Sequence, residues 1–164
     1  VPLTERGREQ AQAVGAALKG RSFARVLTSP LSRAADTAGL AGFGGAEERD
    51  ELREWDYGAY EGRKTSEIRE DRPGWTLWID GVPDGETAAV LAARVDAVLA
   101  ELRTVEGATL VFAHGHLLRV LAARWIGLEP EAGRLFGLDP ATVSVLGYER
   151  ETPVIRVWNA PISS

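Results

Sequence analysis

The chain has 164 residues, 45% of them hydrophobic and 26% charged, enough apolar content for one soluble domain with a sizeable core. A formal net charge of −5 argues against nucleic acid or an anionic membrane as the main partner. The absence of cysteine excludes disulfides, thiolate chemistry and Cys-ligated zinc, and fits a reducing, cytoplasmic setting. No apolar run reaches the length of a membrane span, and no repeat or linker divides the chain, so a single domain over residues 1–164 is expected.

Thr4 is placed to cap a first helix whose buried face is marked by Ala11, Val14 and Leu18. Ala24–Thr28 reads as a short strand. Ser29 then offers an N-cap and Pro30 suits a first helical position, so a helix is expected over Leu31–Leu40 with Arg33 in its first turn. Gly39–Gly45 is a glycine-rich connection, and Leu52–Gly62 mixes aromatic and acidic residues with glycines suited to turns. Lys64–Asp71 suggests a short helix, followed by the aromatic patch Trp75–Gly81. Leu91, Val95, Val98, Leu99 and Leu102 form a long apolar stripe that predicts a helix from Glu86 to about Val105.

Leu110–Leu121 changes period part-way. An apolar run rich in β-branched and aromatic residues reads as a buried strand, and Leu117, Leu118, Leu121 and Trp125 then follow a helical face. Pro130–Phe136 suggests a short helix. Thr142–Tyr148 and Pro153–Trp158 read as two strands of a hairpin closed by the turn Glu149–Thr152. This order describes an α/β domain, a three-layer α/β/α sandwich whose mostly parallel sheet is covered on both faces. Because the first visible element is a helix, the expectation is that an upstream strand is missing from the given sequence.

Both histidines of the chain, His114 and His116, lie in the turn that joins strand to helix. Ligands of open α/β sheets bind at such carboxyl ends, and backbone N–H groups at a helix N-terminus attract anions. Arg33 occupies a second junction of the same kind, although a cation there is unfavourable against the helix dipole and a solvated surface arginine is the plainer alternative. Glu54 sits among aromatic residues, where a desolvated carboxylate suits a general acid. Taken alone, that segment reads better as an edge whose Trp and Tyr anchor the core while its acids face water. Trp75 and Trp78 fit either a helical core or the cover of an active-site mouth.

No phosphate-binding Gly-x-x-x-x-Gly-Lys loop, dinucleotide fingerprint or Gly-x-Ser-x-Gly elbow is present. His114 and His116 would share a face of a continued strand, but two histidines, no thiol and an intervening glycine argue against a zinc or iron centre, a binuclear carboxylate site staying open. What remains is an anion site built from a histidine and an arginine, with a glutamate able to donate a proton.

These residues resemble a known family. Leu3–Ala11, Thr28-Ser29-Pro30-Leu31-Ser32-Arg33-Ala34, Leu52-Arg53-Glu54 with Tyr57-Gly58 and Glu61-Gly62, Gly85-Glu86, and Ala113-His114-Gly115-His116 stand in the order seen in the histidine phosphatase superfamily, the phosphoglycerate mutase-like group. The resemblance implies that fold, with the first strand central in the sheet, and a phosphomonoester hydrolase that works through a phosphohistidine. It implies a small-molecule phosphate ester as partner and no metal or organic cofactor. Arg33 resembles the second phosphate-binding arginine, His114 the second, non-nucleophilic histidine, and Glu54 the proton donor. Gly115 and His116 would add backbone N–H groups, and Tyr57 would join the substrate-binding residues.

The nucleophile of the family lies in an Arg-His-Gly motif at the end of that first strand, upstream of the position of Val1. About thirty to forty further residues carrying it are therefore expected, from usual α/β element lengths. The chain as written is not expected to turn over phosphate esters. Glu54–Gly58, Trp78–Gly81 and Phe112–Arg119 look most like a phosphatase branch that includes sugar-bisphosphate phosphatases and broad-specificity acid phosphatases. His116 stands where mutases usually carry asparagine. A phosphoglycerate mutase and a catalytically inactive phosphate-binding domain are the two alternatives, and the apolar final strand suggests a homodimer.

Overall fold

The computed structural model describes residues 1–162. Helix α1 spans Glu5–Leu18, with the Thr4 hydroxyl accepting the Gly7 N–H at 3.1 Å, and it buries Ala11, Val14 and Leu18. Strand β1 covers Arg25–Thr28 and helix α2 covers Ser32–Leu40. The helix begins one residue later than expected, and Ser29 is not its cap: Leu31 holds that position without a side-chain hydrogen bond. The Ser29 hydroxyl instead accepts the Leu31 N–H at 3.2 Å and faces the functional end of the sheet.

A two-residue strand, β2 (Glu47–Glu48), leads through irregular chain and short 3₁₀ turns to helices α3 (Thr65–Asp71) and α4 (Leu77–Asp80). The long helix α5 covers Ala88–Leu102, inside the expected Glu86–Val105. Thr87 caps it by accepting the Val90 N–H, which leaves Glu86 in the preceding turn and free for other contacts. Strand β3 (Thr109–Phe112), helix α6 (Gly115–Trp125), a 3₁₀ segment (Pro130–Leu135) and strands β4 (Thr142–Glu149) and β5 (Thr152–Pro161) complete the order.

β2, β1 and β3 form a parallel sheet in that spatial order, with Leu27 opposite Val111 and Thr28 opposite Phe112. Strand alternation sorts the sheet residues between its two faces. Val26, Leu110 and Phe112 pack with Val14, Leu18, Ala34 and Ala38 of α1 and α2. Leu27 and Val111 pack with Leu91, Val95 and Val98 of α5 and with Leu117, Val120 and Leu121 of α6. Helices thus cover both faces, the expected three-layer arrangement.

The expected hairpin is present as a separate antiparallel sheet, β4 with β5. It docks on α6 through Trp125, whose indole N–H donates to the carbonyls of Gly147 and Val154 at 3.1 and 3.2 Å. Among the described residues β3 pairs with β1 on one edge only, and no described strand occupies its other edge.

Candidate active site

β1 and β3 run parallel and side by side, so their carboxyl ends open on the same edge of the sheet. Ser29 follows β1 there and His114 follows β3. His114 keeps extended backbone (φ −132°, ψ 160°) as the N-cap of α6, and its Nε2 shares a 2.8 Å hydrogen bond with the fully buried Ser29 hydroxyl. The two histidines are therefore not on one strand face: His114 ends the extended chain and His116 is already helical.

Glu54 comes to this edge from the irregular segment after β2. Its Oε1 accepts the N–H groups of Trp55 at 2.8 Å and Leu117 at 3.0 Å, and its Oε2 accepts the His116 N–H at 3.2 Å. A carboxylate so placed satisfies orphan donors of the first turn of α6 and complements its dipole. Gly115, the first residue of that helix, is exposed, and nothing lies within 4 Å of where a Cβ would stand. Arg33, in the first turn of α2, is exposed; its carbonyl accepts the Thr37 hydroxyl at 2.7 Å, and its guanidinium makes no hydrogen bond or ion pair among the described residues.

His116 turns away from the sheet toward the aromatic residues. Its Nδ1 shares a 2.6 Å hydrogen bond with the Tyr57 hydroxyl and lies 4.0 Å from Glu54 Oε2. Tyr57 and Trp78 meet the imidazole ring edge-on at 5.7 and 5.6 Å between centroids. Beyond them opens a cleft of about 410 Å³, walled by Tyr57, Tyr60, Trp75, Trp78 and His116, with Arg69 at its side. Trp55 does not reach it. That ring is 1% exposed in the core, where its N–H donates to the Glu86 carbonyl at 2.9 Å.

Electrostatics follow from this partial enclosure. Burial pushes the His114 imidazolium down from its ordinary range; the Glu54 carboxylate pulls it back up, while Arg33 and then Arg94 add to the lowering. His116 is lowered in the same way, by burial first, against Glu54 and with Arg119. The Tyr57 phenol is pushed above its usual range by burial and then by the charges of Glu54 and Glu61.

The motifs mark neither Ser29, whose place in the sequence fits a helix cap, nor Arg94 as part of this site. Arg94 had a visible signal: it stands three residues after Leu91 and four before Val98, a charge on the apolar face of α5.

A family model for the histidine phosphatase superfamily (branch 1) matches residues 1–161. The chain belongs to the histidine phosphatase superfamily. It is 38% identical over 153 residues to an acid phosphatase of Mycobacterium tuberculosis, covering 91% of this chain and 75% of that protein. It is 34% identical over 162 residues to sedoheptulose 1,7-bisphosphatase of Saccharomyces cerevisiae, covering 78% of this chain and 59% of that one. The solved structure of the Mycobacterium tuberculosis open reading frame Rv3214 superposes with a TM-score of 0.93 at 35% identity, over 99% of this chain and 86% of that one. The histidine phosphatase fold, the hydrolase class and the phosphatase character of the relatives thus agree with the expectation from the motifs. Among the described residues no helix is long and apolar enough to cross a membrane.

Proposed function

We propose that this chain carries most of the active site of a phosphomonoester hydrolase acting on small organic phosphates, sugar phosphates among them. The observation that carries the reading is the meeting of His114, Glu54 and the N-terminal turn of α6 at the sheet edge to which Arg33 also belongs. Arg33, the His114 imidazole and the Gly115 and His116 N–H groups would hold the phosphoryl oxygens and stabilise charge as it develops. The organic part of the ester would lie in the aromatic cleft, where flat rings suit the apolar face of a sugar.

In this reading the nucleophile is a histidine upstream of Val1, on a strand against the free edge of β3. Two features support it: β3 has no described neighbour on that edge, and the β4–β5 sheet stands apart. The imidazole attacks phosphorus as the P–O bond to the alcohol breaks, and Glu54 gives the departing oxygen its proton. Water then attacks the phosphohistidine, loses a proton to Glu54, and leaves inorganic phosphate and the free imidazole. On this account residues 1–164 alone do not turn over.

The test is phosphate release by the full-length protein, with EDTA present, across sugar mono- and bisphosphates and 3-phosphoglycerate. Fast, metal-independent release is expected. Transfer of the phosphoryl group within 3-phosphoglycerate without net release would instead identify a mutase, and inertness would identify a binding domain.

A further inference from the structure

Arg94 sits in the middle of α5 with its side chain 20% exposed, pointed back at the segment that bears Glu54. Its guanidinium donates five hydrogen bonds. One Nη1 serves the carbonyls of Glu51 and Arg53 at 2.8 and 2.7 Å, and Nη2 reaches the Glu54 carbonyl at 3.1 Å. The remaining two, from Nε and Nη2, go to the Glu86 carboxylate at 2.8 and 2.7 Å. Glu86 is itself tied to the same segment: its Oε1 accepts the Asp56 N–H and its own N–H donates to the Asp56 carbonyl, both at 2.9 Å.

Three carbonyls from residues 51–54 converge on one cation. Without it their dipoles would point at one another with no other protein donor among the described residues bonded to them. The segment has little regular structure to hold it, since only the 3₁₀ turn Asp50–Leu52 precedes Glu54. Its backbone is braced from outside by α5, and the Glu54 carboxylate that this backbone carries reaches the N–H groups of His116 and Leu117. A lysine could not replace the fork, because an ammonium lacks the planar, divergent donors that three carbonyls and a carboxylate require.

We propose that Arg94, braced by Glu86, is a positioning residue that aims Glu54 for proton donation to the leaving oxygen. The inference rests on the reading of Glu54 as the proton donor, and the two can be separated by experiment. Proton donation matters when the leaving group is a poor one, an alkoxide, and little when it is a stable phenolate. A misaimed acid therefore slows alkyl phosphates selectively, whereas a loosened fold slows all substrates alike.

The measurement is kcat and KM of the full-length protein on glycerol 2-phosphate and on 4-nitrophenyl phosphate, for wild type, Glu54→Gln, Arg94→Gln and Arg94→Lys. Arg94→Gln is expected to lose at least about tenfold more kcat/KM, which reports the step that expels the alcohol, on the glycerol ester than on the nitrophenyl ester. Combining it with Glu54→Gln should add almost nothing, since both act on one proton transfer. Arg94→Lys keeps the charge without the fork; it should show the same selective loss in a chain that still folds, so the test survives if Arg94→Gln does not fold. Equal losses on both esters in Arg94→Lys would overturn the proposal while Glu54→Gln still shows the selective loss. If Glu54→Gln shows no selectivity, the assignment of Glu54 falls, and the role of Arg94 falls with it.

Discussion

Both oxygens of Glu54 are engaged by backbone N–H groups of α6 and its own neighbour, so this side chain ties the irregular segment after β2 to the first turn of the helix. In the proposed reading proton donation here is short-range, because Glu54, the Gly115 and His116 N–H groups and His114 share one small edge. Replacing His114 or Arg33 by alanine in the full-length protein should lower turnover by on the order of a hundred-fold to a thousand-fold each, the usual cost of losing a donor aimed at developing charge. Near-normal rates in both variants would reject these assignments. His116 has a different signature. It faces Tyr57, Glu54, Arg119 and the Trp78 ring, and burial leaves its folded pKa below the ordinary value near 6.5. As pH falls past that value the unfolded chain takes the proton first, so stability declines below it and levels off only beneath the lower, folded pKa. His114, lowered for the same reason, adds to the decline. Melting temperatures from pH 8 down to pH 5 should therefore fall, with a shallower slope in His116→Asn; identical slopes would contradict the enclosed, neutral imidazole.

Helix α6 is the element on which site and fold depend together. Its first turn meets Glu54 and the cleft, its middle packs on α5, and Trp125 at its end receives the hairpin. Trp125 is 8% exposed, lies edge-on to Tyr148 at 5.1 Å between ring centroids, and carries the Arg103 guanidinium over its face at 4.3 Å. Trp125→Ala should cost about 3–5 kcal/mol, as truncation of a large buried aromatic does, and should free β4–β5 to proteolysis before the rest of the chain. Uniform cleavage would instead mean that the hairpin unfolds only with the whole domain. The apolar periods made α1, α5, α6 and the hairpin legible in the sequence, because each buries one face and the spacing records it. The α2 boundary was less legible: Ser29-Pro30 fits a cap and first turn, yet the Ser29 hydroxyl is shared with His114, a contact 85 residues away that local rules do not contain. Trp55 is the core anchor that its acid–aromatic segment suggests: Glu86 offers its indole an acceptor there, while Tyr57, Tyr60, Trp75 and Trp78 line the cleft. Close approach of the two loops explains two glycines there: a side chain on Gly58 or Gly85 would run into the facing backbone of Pro83 or Asp56.

At the scale of the molecule the sheet is built around the junction between β1 and β3, and helices from both faces deliver their first turns to one edge. Membership of the histidine phosphatase superfamily was readable because the ordered motifs mark those junctions, and Arg33, Glu54 and His114 come from three different ones. What the motifs did not contain is the bracing by Arg94, which links residues 40 and more positions apart through backbone carbonyls that any side chain could carry. The central claim is a covalent phosphohistidine formed outside the two histidines of this chain. It is tested most directly by mixing the full-length protein with a ³²P-labelled ester, quenching in alkali, where phosphohistidine survives, and mapping the label by mass spectrometry. The account predicts label on a histidine upstream of Val1, transient in wild type and slow to clear in Glu54→Gln. Label on His114 or His116, or steady turnover with no labelled protein at any time, would contradict it.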